Sequence, residues 1–364
     1  MSFITQWEER LLAVRSMLVP DNSGQFNDPT NYSKFTGLLT QLHSPTNPDT
    51  IKTIMRETSD VNKYRPVEIR YNPQWGNENV SRNDAATNCD PVNQRRDAIE
   101  TVEPNLFTEV KETLDEGYVR QNQEDGTTPE TRLAETFKRC MRVAREDMND
   151  QLVAKAATLI GSNPAQGTSA GNYTDVTLLN SDGSNSVDQF DFIKNDQEDN
   201  YMPNGVMGLV GLGNTRKYFN RLAVGNLNTD AGIDWQEVAS QFGMLFYKDQ
   251  FTKDHLDTPN SILALYPGFQ QFFNYNVFGG SFFRKDTPDL KIKGTMPDDV
   301  YPFEWDYILQ YDDGCDTGNG IQGSWTLRLM SYFDMFTVPE AAFGDSYGDL
   351  NGFTGIVGYN ILQA

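Results

Sequence analysis

Over residues 129–160, apolar side chains recur every three or four positions, at Leu133, Phe137, Met141, Ala144, Met148, Leu152, Ala156 and Leu159. That period places them on one face of an α-helix. Thr128 offers an N-cap oxygen, Pro129 suits the first helical position, and Gly161 with Pro164 closes the run. The predicted helix is about 48 Å long at about 1.5 Å per residue, far beyond the typical length of about 11–12 residues. One apolar face, with no accompanying heptad segment, predicts a spine packed across a sheet rather than a coiled coil.

Residues 3–18 carry Phe3, Trp7, Leu11, Val14 and Leu18 at helical spacing, ended by Pro20. The acidic residues beside this stripe oppose an anionic membrane, so its expected cover is protein. Residues 19–50 hold Pro20, Pro29, Pro45 and Pro48 among Asn, Asp, Ser and Thr, and read as an extended arm. Val67, Ile69 and Tyr71 alternate with Glu68 and Arg70, the pattern of a half-buried strand. A polar run over 72–96 follows, before apolar character returns at 98–102 and 107–119. Such a run cannot build a core, so it predicts the tip of a long projecting hairpin.

Towards the C-terminus Trp325, Leu327, Leu329, Phe333 and Met335 alternate with Thr326, Arg328, Tyr332 and Asp334. A strand over 325–338 would reach about 46 Å at roughly 3.3 Å per residue. Helix and strand of matched length predict one elongated layer. Between them the pattern predicts strands at 174–179 and 206–212, a short helix at 187–194 and a helix over 214–222 capped by Asn214. Alternation continues through 235–242, 245–247 and 261–266, a mixed α+β region. Residues 344–364 read as a Gly-, Asp- and Asn-punctuated tail whose Phe353, Ile356, Val357 and Ile361 add an edge strand. No internal repeat is visible.

Composition changes the picture in one respect. The 364 residues carry 30 Lys+Arg against 51 Asp+Glu, a formal net charge of −21, which argues against a grip on nucleic-acid phosphates. Residues 286–364 contain three basic side chains, Lys291, Lys293 and Arg328, against thirteen acidic ones. The expected consequence is a solvated acidic surface that keeps the protein soluble. At 38% hydrophobic residues the chain is a folded one, long enough for about two domains. Cys89, Cys140 and Cys315 form no C-x-x-C pair and read as free thiols. The first ten residues lack a basic and apolar signal pattern, and no apolar stretch reaches the span a bilayer needs, so neither secretion by a visible signal nor membrane insertion is expected.

Candidate chemistry is sparse. His43 and His255 stand outside H-E-x-x-H and outside any Cys cluster, so a structural role is expected for each. Gly208, Gly211 and Gly213 between a strand and a helix resemble a dinucleotide loop, but Arg216 occupies the third glycine position. Residues 226–237 place oxygen donors at positions 1, 3, 5, 9 and 12 of a calcium loop: Asn226, Asn228, Asp230, Asp234 and Glu237. Against that, position 1 is Asn and position 6 is Ala231, with Gly232 one place late. The same residues suit an ordinary interhelical turn, as do Asp312, Asp313, Gly314, Cys315 and Asp316. No G-x-S-x-G or P-loop lysine pattern is present, and carboxylate pairs for glycosidic cleavage cannot be singled out among so many acids.

The order of elements resembles the tailed-bacteriophage major capsid protein of the Hong Kong 97-type fold. The most motif-like pieces are residues 206–222, a short apolar strand before an N-capped helix, and 327–343, a closing strand followed by Pro339, Glu340, Ala341, Ala342 and Phe343. The family pattern there is P-E-A-F, and this chain carries one extra alanine. The resemblance implies an α+β subunit with an N-terminal helix and arm over 1–60 and an extended hairpin loop over 61–120. A peripheral domain would take 121–168 and 322–343, an axial domain 169–321, and a C-terminal tail 344–364.

It further implies a structural role with no catalytic, cofactor-binding or metal-binding residues and no cofactor. The partner would be the chain itself, in the hexamers and pentamers of an icosahedral shell around double-stranded DNA. Scaffold, portal or decoration proteins are further partners, the virion is the location, and assembly would occur in the host bacterial cytoplasm. The alternatives are an encapsulin-like compartment shell, a glycan-binding or glycan-cleaving surface protein, and a calcium-regulated binding module.

Overall fold

The computed structural model describes residues 3–18, 34–44, 51–55, 67–71, 98–115, 128–179, 187–200, 205–213, 243–278, 284–286, 291–312, 324–338 and 353–363. In chain order the elements are α1 (Phe3–Leu18), α2 (Gly37–Leu42), β1 (Ile51–Met55), β2 (Val67–Tyr71), β3 (Ala98–Val102), β4 (Leu106–Asp115) and α3 (Pro129–Thr158). After a 3-10 turn at Pro164–Gln166 come β5 (Tyr173–Leu179), α4 (Val187–Asp199), β6 (Met207–Gly211), β7 (Met244–Lys248), α5 (Thr252–His255) and β8 (Ser261–Leu265). The chain ends with β9 (Gln270–Tyr275), β10 (Arg284–Asp286), β11 (Lys291–Pro297), β12 (Glu304–Asp312), β13 (Ser324–Thr337) and β14 (Ile356–Gln363). The fold is mixed α+β with three sheets.

Two compact units divide the chain, one from Met1–Lys34, Pro104–Met148 and Asn274–Asp334, the other from Phe35–Glu103, Asn149–Phe273 and Met335–Ala364. The first is built on an antiparallel run in the order β10-β11-β12-β13-β4, with β9 also pairing β13. Strand alternation sends Trp305, Tyr307, Leu309, Trp325, Leu327, Leu329 and Phe333 to one face, all buried. The apolar stripe of α3 covers that face, and the Phe137 ring meets Tyr307 edge-on at 5.7 Å between centroids. Thr128 caps the helix, its Oγ1 accepting the Thr131 N–H at 3.2 Å. Leu11, Val14 and Leu18 of α1 are buried as their spacing requires.

The second unit holds a five-stranded mixed sheet in the order β5-β14-β8-β6-β7. Strands β6 and β7, and β14 and β5, run parallel, while β8 is antiparallel to both β14 and β6. Here β6 and β8 are buried at every position, the mark of strands covered on both faces. A separate three-stranded antiparallel sheet, β1-β2-β3, pairs Val67 with Val102 and Tyr71 with Ala98. Its Ile69 joins the apolar cluster that includes Met207, Phe246, Ile262, Phe336, Phe353 and Tyr359.

Several expectations are corrected. Residues 344–364 were expected to add an edge strand, yet β14 lies inside the five-stranded sheet, bonded to β5 on one side and β8 on the other. Its Ile356, Val357, Tyr359 and Ile361 are buried, which an edge position would not achieve. Within the hairpin range 61–120, only β2 and β3 pair with each other, and β4 pairs instead with β13 over Leu106–Asp115. The arm range 1–60 contains β1, a third strand beside β2. Strands β10 to β12, inside the range 169–321, join the sheet of β13 and β4.

Helix α3 stops at Thr158 rather than 160 because the chain before β14 captures its end: Thr354 Oγ1 donates to the Leu159 carbonyl at 2.6 Å, and Gly161 N–H to the Ile356 carbonyl at 2.9 Å. The hairpin tip 72–96, the helix at 214–222 and the segment 235–242 lie outside the described residues.

Candidate functional site

Buried titratable groups are the usual markers of chemistry, so the fully buried carboxylates come first. In the first unit, Asp298 follows β11 and accepts from Arg145 at 2.9 and 3.0 Å, from the Val300 and Tyr301 N–H groups at 2.8 Å each, and from Trp305 Nε1 at 2.8 Å. Burial opposes the Arg145 charge, but Asp298 and Asp299 outweigh it and leave its pKa above the ordinary arginine value. Asp306 on β12 accepts the Val277 N–H at 2.6 Å and the Phe278 N–H at 3.3 Å. Burial pushes its carboxyl up to about 7, those two donors pull it down, and Glu304 adds to the rise.

In the second unit, Asp249 and Asn149 hold the start of α2. The Leu38 N–H donates to Asp249 at 2.9 Å, the Leu39 N–H to Asn149 Oδ1 at 3.0 Å, and Asn149 Nδ2 to Asp249 at 2.8 Å. Phe251 N–H completes the carboxylate at 2.8 Å. Burial raises the Asp249 pKa, and these donors oppose the rise. Asp196 on α4 accepts from Asn163 at 2.8 Å, Gln166 at 2.5 Å and the Tyr359 hydroxyl at 2.8 Å. Its pKa too is raised by burial and restrained by those bonds. Each of these four acids binds backbone or side-chain donors of the fold itself. They act as staples between distant segments.

The glycines of the dinucleotide-like stretch have a packing explanation. A Cβ on Gly208 would stand 2.5 Å from Gln41 Cγ, and one on Gly211 would stand 2.6 Å from Ile262 Cγ2. Helix α2 therefore lies close on β6 because β6 carries no side chain at Gly208. Gly37 approaches from the helix side, where an added Cβ would meet the Lys248 carbonyl oxygen at 2.4 Å. The glycine spacing accommodates a helix on a strand rather than a phosphate.

The histidines lie apart from these staples. His43 Nδ1 is 2.9 Å from the Leu39 carbonyl and its ring packs on Phe272, while His255 Nε2 pairs with Asp150 Oδ1 at 2.7 Å. Cys140 is buried with Sγ 3.2 Å from Glu112 Oε2. Burial pushes its thiol up to about 11, against a smaller opposing pull from Arg139, so it is poorly suited to act as a nucleophile. Cys89, Cys315, the calcium-like stretch 226–237 and residues 313–316 lie outside the described residues. Among the described residues no group of three or more His, Cys, Asp or Glu side chains is placed to hold a metal ion, and no helix is long and apolar enough to cross a membrane.

The sequence reading missed all four staples, though a local signal could have found two of them. Asp298 precedes a turn and Asp249 precedes the short helix α5, positions where aspartate commonly binds backbone N–H groups. Nothing local marked Asp196 or Asp306, whose partners come from distant segments.

No family model matches the chain, and no curated protein does. The solved structures that match it are overwhelmingly tailed-phage capsid structures. The capsid structure of cyanophage P-SCSP1u is 9% identical with a TM-score of 0.44, covering 93% of this chain and 92% of that one. The capsid asymmetric unit of cyanophage A-1(L) is 9% identical with a TM-score of 0.45, covering 96% and 98%. The capsid of the myovirus phage XM1 is 10% identical with a TM-score of 0.38, covering 94% and 96%.

Proposed function

We propose that this chain is the major capsid subunit of a tailed bacteriophage, a structural protein of Hong Kong 97-type fold that self-assembles into an icosahedral shell enclosing double-stranded DNA. The observation that carries the reading is the order of elements. A helix and arm lead to a hairpin whose strands enclose residues 72–97, then to a 30-residue helix, a five-stranded mixed sheet, and a 14-residue strand that returns to pair with β4. A soluble enzyme has no evident need of a helix of about 45 Å at about 1.5 Å per residue. A shell subunit does, because such elements set a wall's span and present long edges to neighbours.

In this reading the N-terminal helix and the β1-β2-β3 hairpin sheet reach over adjacent subunits, the β10-β11-β12-β13-β4 sheet under α3 forms the peripheral layer, and the five-stranded sheet gathers at the local symmetry axis. Hexamers and pentamers arise from modest contacts repeated by symmetry. The buried acids serve stability rather than catalysis, which fits a protein with no cofactor. A net charge of −21 suits a container wall that encloses DNA without gripping it. The virion is the location after assembly in the bacterial cytoplasm, with scaffold, portal or decoration proteins as further partners.

Negative-stain electron microscopy with sedimentation velocity tests this, on the chain alone and co-expressed with the products of neighbouring genes. Shells, hexamers or pentamers support it. A monomer that never assembles, at high concentration or with partners, overturns it and returns the glycan and calcium readings.

A further inference from the structure

Strand β4 ends the antiparallel sheet of the first unit: β13 lies on one side of it, and among the described residues no strand lies on the other. Its ten residues pair with β13 without a register shift, from Leu106 with Phe333 to Asp115 with Ser324. The strand contains no Pro, no Gly and no bulge, devices that commonly blunt a sheet edge. Strands usually run about five or six residues, so β4 is a long template for a further strand.

The core also opens at this edge. On the face under α3, Leu329 and Phe333 of β13 are fully buried, yet their partners on β4, Val110 and Leu106, are only half-buried. Thr108 between them is buried. On the other face Phe107 is 38% exposed, its ring 4.6 Å from that of Tyr332, and the Lys111 side chain is 58% exposed.

We propose that β4 pairs antiparallel with β4 of a second copy across a two-fold axis, joining the two sheets into one. The proposal rests on the shell reading above, and supplies a contact that rings alone do not: an icosahedral shell also closes across two-fold axes. A two-fold perpendicular to the sheet keeps paired side chains on one face. A residue then stands opposite itself or a residue an even number of positions away. Two such registers have the greatest overlap, one centred on Val110 and one on Lys111.

The sequence of β4 separates them. Centring on Lys111 sets Lys111 against Lys111 and Phe107 against Asp115, while centring on Glu109 or Glu112 sets carboxylate against carboxylate. Centring on Val110 sets Lys111 against Glu109 twice, Val110 against Val110, Phe107 against Thr113, Thr108 against Glu112 and Leu106 against Leu114. Opposite charges and apolar pairs directly across strands stabilise, and like charges destabilise. The strand is therefore complementary to itself in that register, as an isologous contact demands. Glu109 accepts from Arg328 Nε at 2.6 Å and lies 3.3 Å from its own Lys111. Two carboxylate oxygens accept about four hydrogen bonds, which leaves capacity for the Lys111 of the second copy.

The test is sedimentation velocity over a range of protein concentrations in about 0.15 M salt. The Debye length there is about 8 Å, which screens the repulsion between two acidic copies more than it screens charges about 5 Å apart across a strand pair. Lys111→Glu sets Glu against Glu, and Glu109→Lys sets Lys against Lys. Each alone is expected to need about tenfold more protein to associate. An equal mixture of the two variants, which restores both opposite-charge pairs, is expected to associate like wild type. The variants move the net charge in opposite directions, so a loss in both does not arise from overall repulsion. Thermal melting checks that they fold, and Lys111→Glu, which places a carboxylate opposite Arg328, is expected to melt no lower than wild type.

Variants that associate as wild type does, or a mixture that recovers nothing, overturn the β4 contact and leave the shell reading intact. Dimers that follow the expected pattern without ever forming shells in negative stain support the pairing and overturn the shell reading. A wild type that stays monomeric throughout overturns both.

Discussion

The two principal sheets solve the same problem in opposite ways. In the antiparallel sheet of the first unit, strands alternate between a buried apolar face under α3 and a polar face with Lys111, Gln310, Thr326 and Arg328. In the five-stranded sheet of the second unit, β6 and β8 are buried at every position, and α2, α4 and α5 lie against its strands. Sheets with parallel pairs need cover on both faces, whereas antiparallel ones tolerate water on one. The first sheet thus leaves half-exposed polar side chains such as Lys111 and Arg328 on one face, although Ile308, Asp306 and Thr295 there are buried. The second devotes both faces to its own core.

Removing β14 breaks the comparison most severely. Deletion of residues 353–364 takes an interior strand from the five-stranded sheet and leaves β5 and β8 unpaired on facing sides. The expected outcome is loss of the cooperative transition of the second unit, read by differential scanning calorimetry and by proteolysis within 149–273. Next in size is Asp298→Ala, which leaves the buried Arg145 charge with Asp299 alone and the Val300, Tyr301 and Trp305 Nε1 donors without their acceptor. A cost of about 3–5 kcal/mol is expected in urea unfolding.

The Asp306 carboxyl sharpens the contrast through pH. Its folded pKa of about 7 lies above its unfolded value, so the folded state holds a proton that the unfolded chain releases. The contribution to stability is therefore complete below about pH 4 and is lost as pH rises through about 7. Stability from this group is expected to fall across that window by an amount on the order of a few kcal/mol. Asp306→Asn should flatten that slope in melting curves taken at several pH values, and an unchanged slope would remove Asp306 as its source.

Gly208→Val tests the close approach of α2 in the second unit, where the first new carbon would sit 2.5 Å from Gln41 Cγ. Overpacking of this kind costs about 1–3 kcal/mol, measurable as a lower urea midpoint at unchanged slope. The smallest effect belongs to the open face of the first unit. Arg328→Gln loses a partly exposed pair with Glu109 and should change stability by about 0–1 kcal/mol.

Legibility follows the same division. The 30-residue α3 and the 14-residue β13 were readable to within a residue or two, because a helix or strand with one wet face writes its period into the sequence. Strands β6 and β8 were readable as apolar runs but carried no record of their neighbours. The tail was recognised as a strand and misplaced to an edge, since Ile356, Val357, Tyr359 and Ile361 show burial without saying beside what. Glycines 208 and 211 offered a phosphate loop on paper and proved to be clearance for Gln41 and Ile262. Asp306, alternating in step with Glu304 and Ile308, looked like any polar position of a half-exposed strand.

By itself the sequence determined the identity, length and apolar side of the strongly periodic elements, the acidic charge and the sparseness of catalytic patterns. These depend on residues within one or two turns or pleats of one another. The tertiary structure decided the partners: β4 with β13, β14 between β5 and β8, and Asp249 beneath α2. Pairing joins residues far apart along the chain, and the entropy of closing such loops grows only slowly with their length. Sequence separation therefore selects no partner, and fit, burial and satisfied hydrogen bonds do.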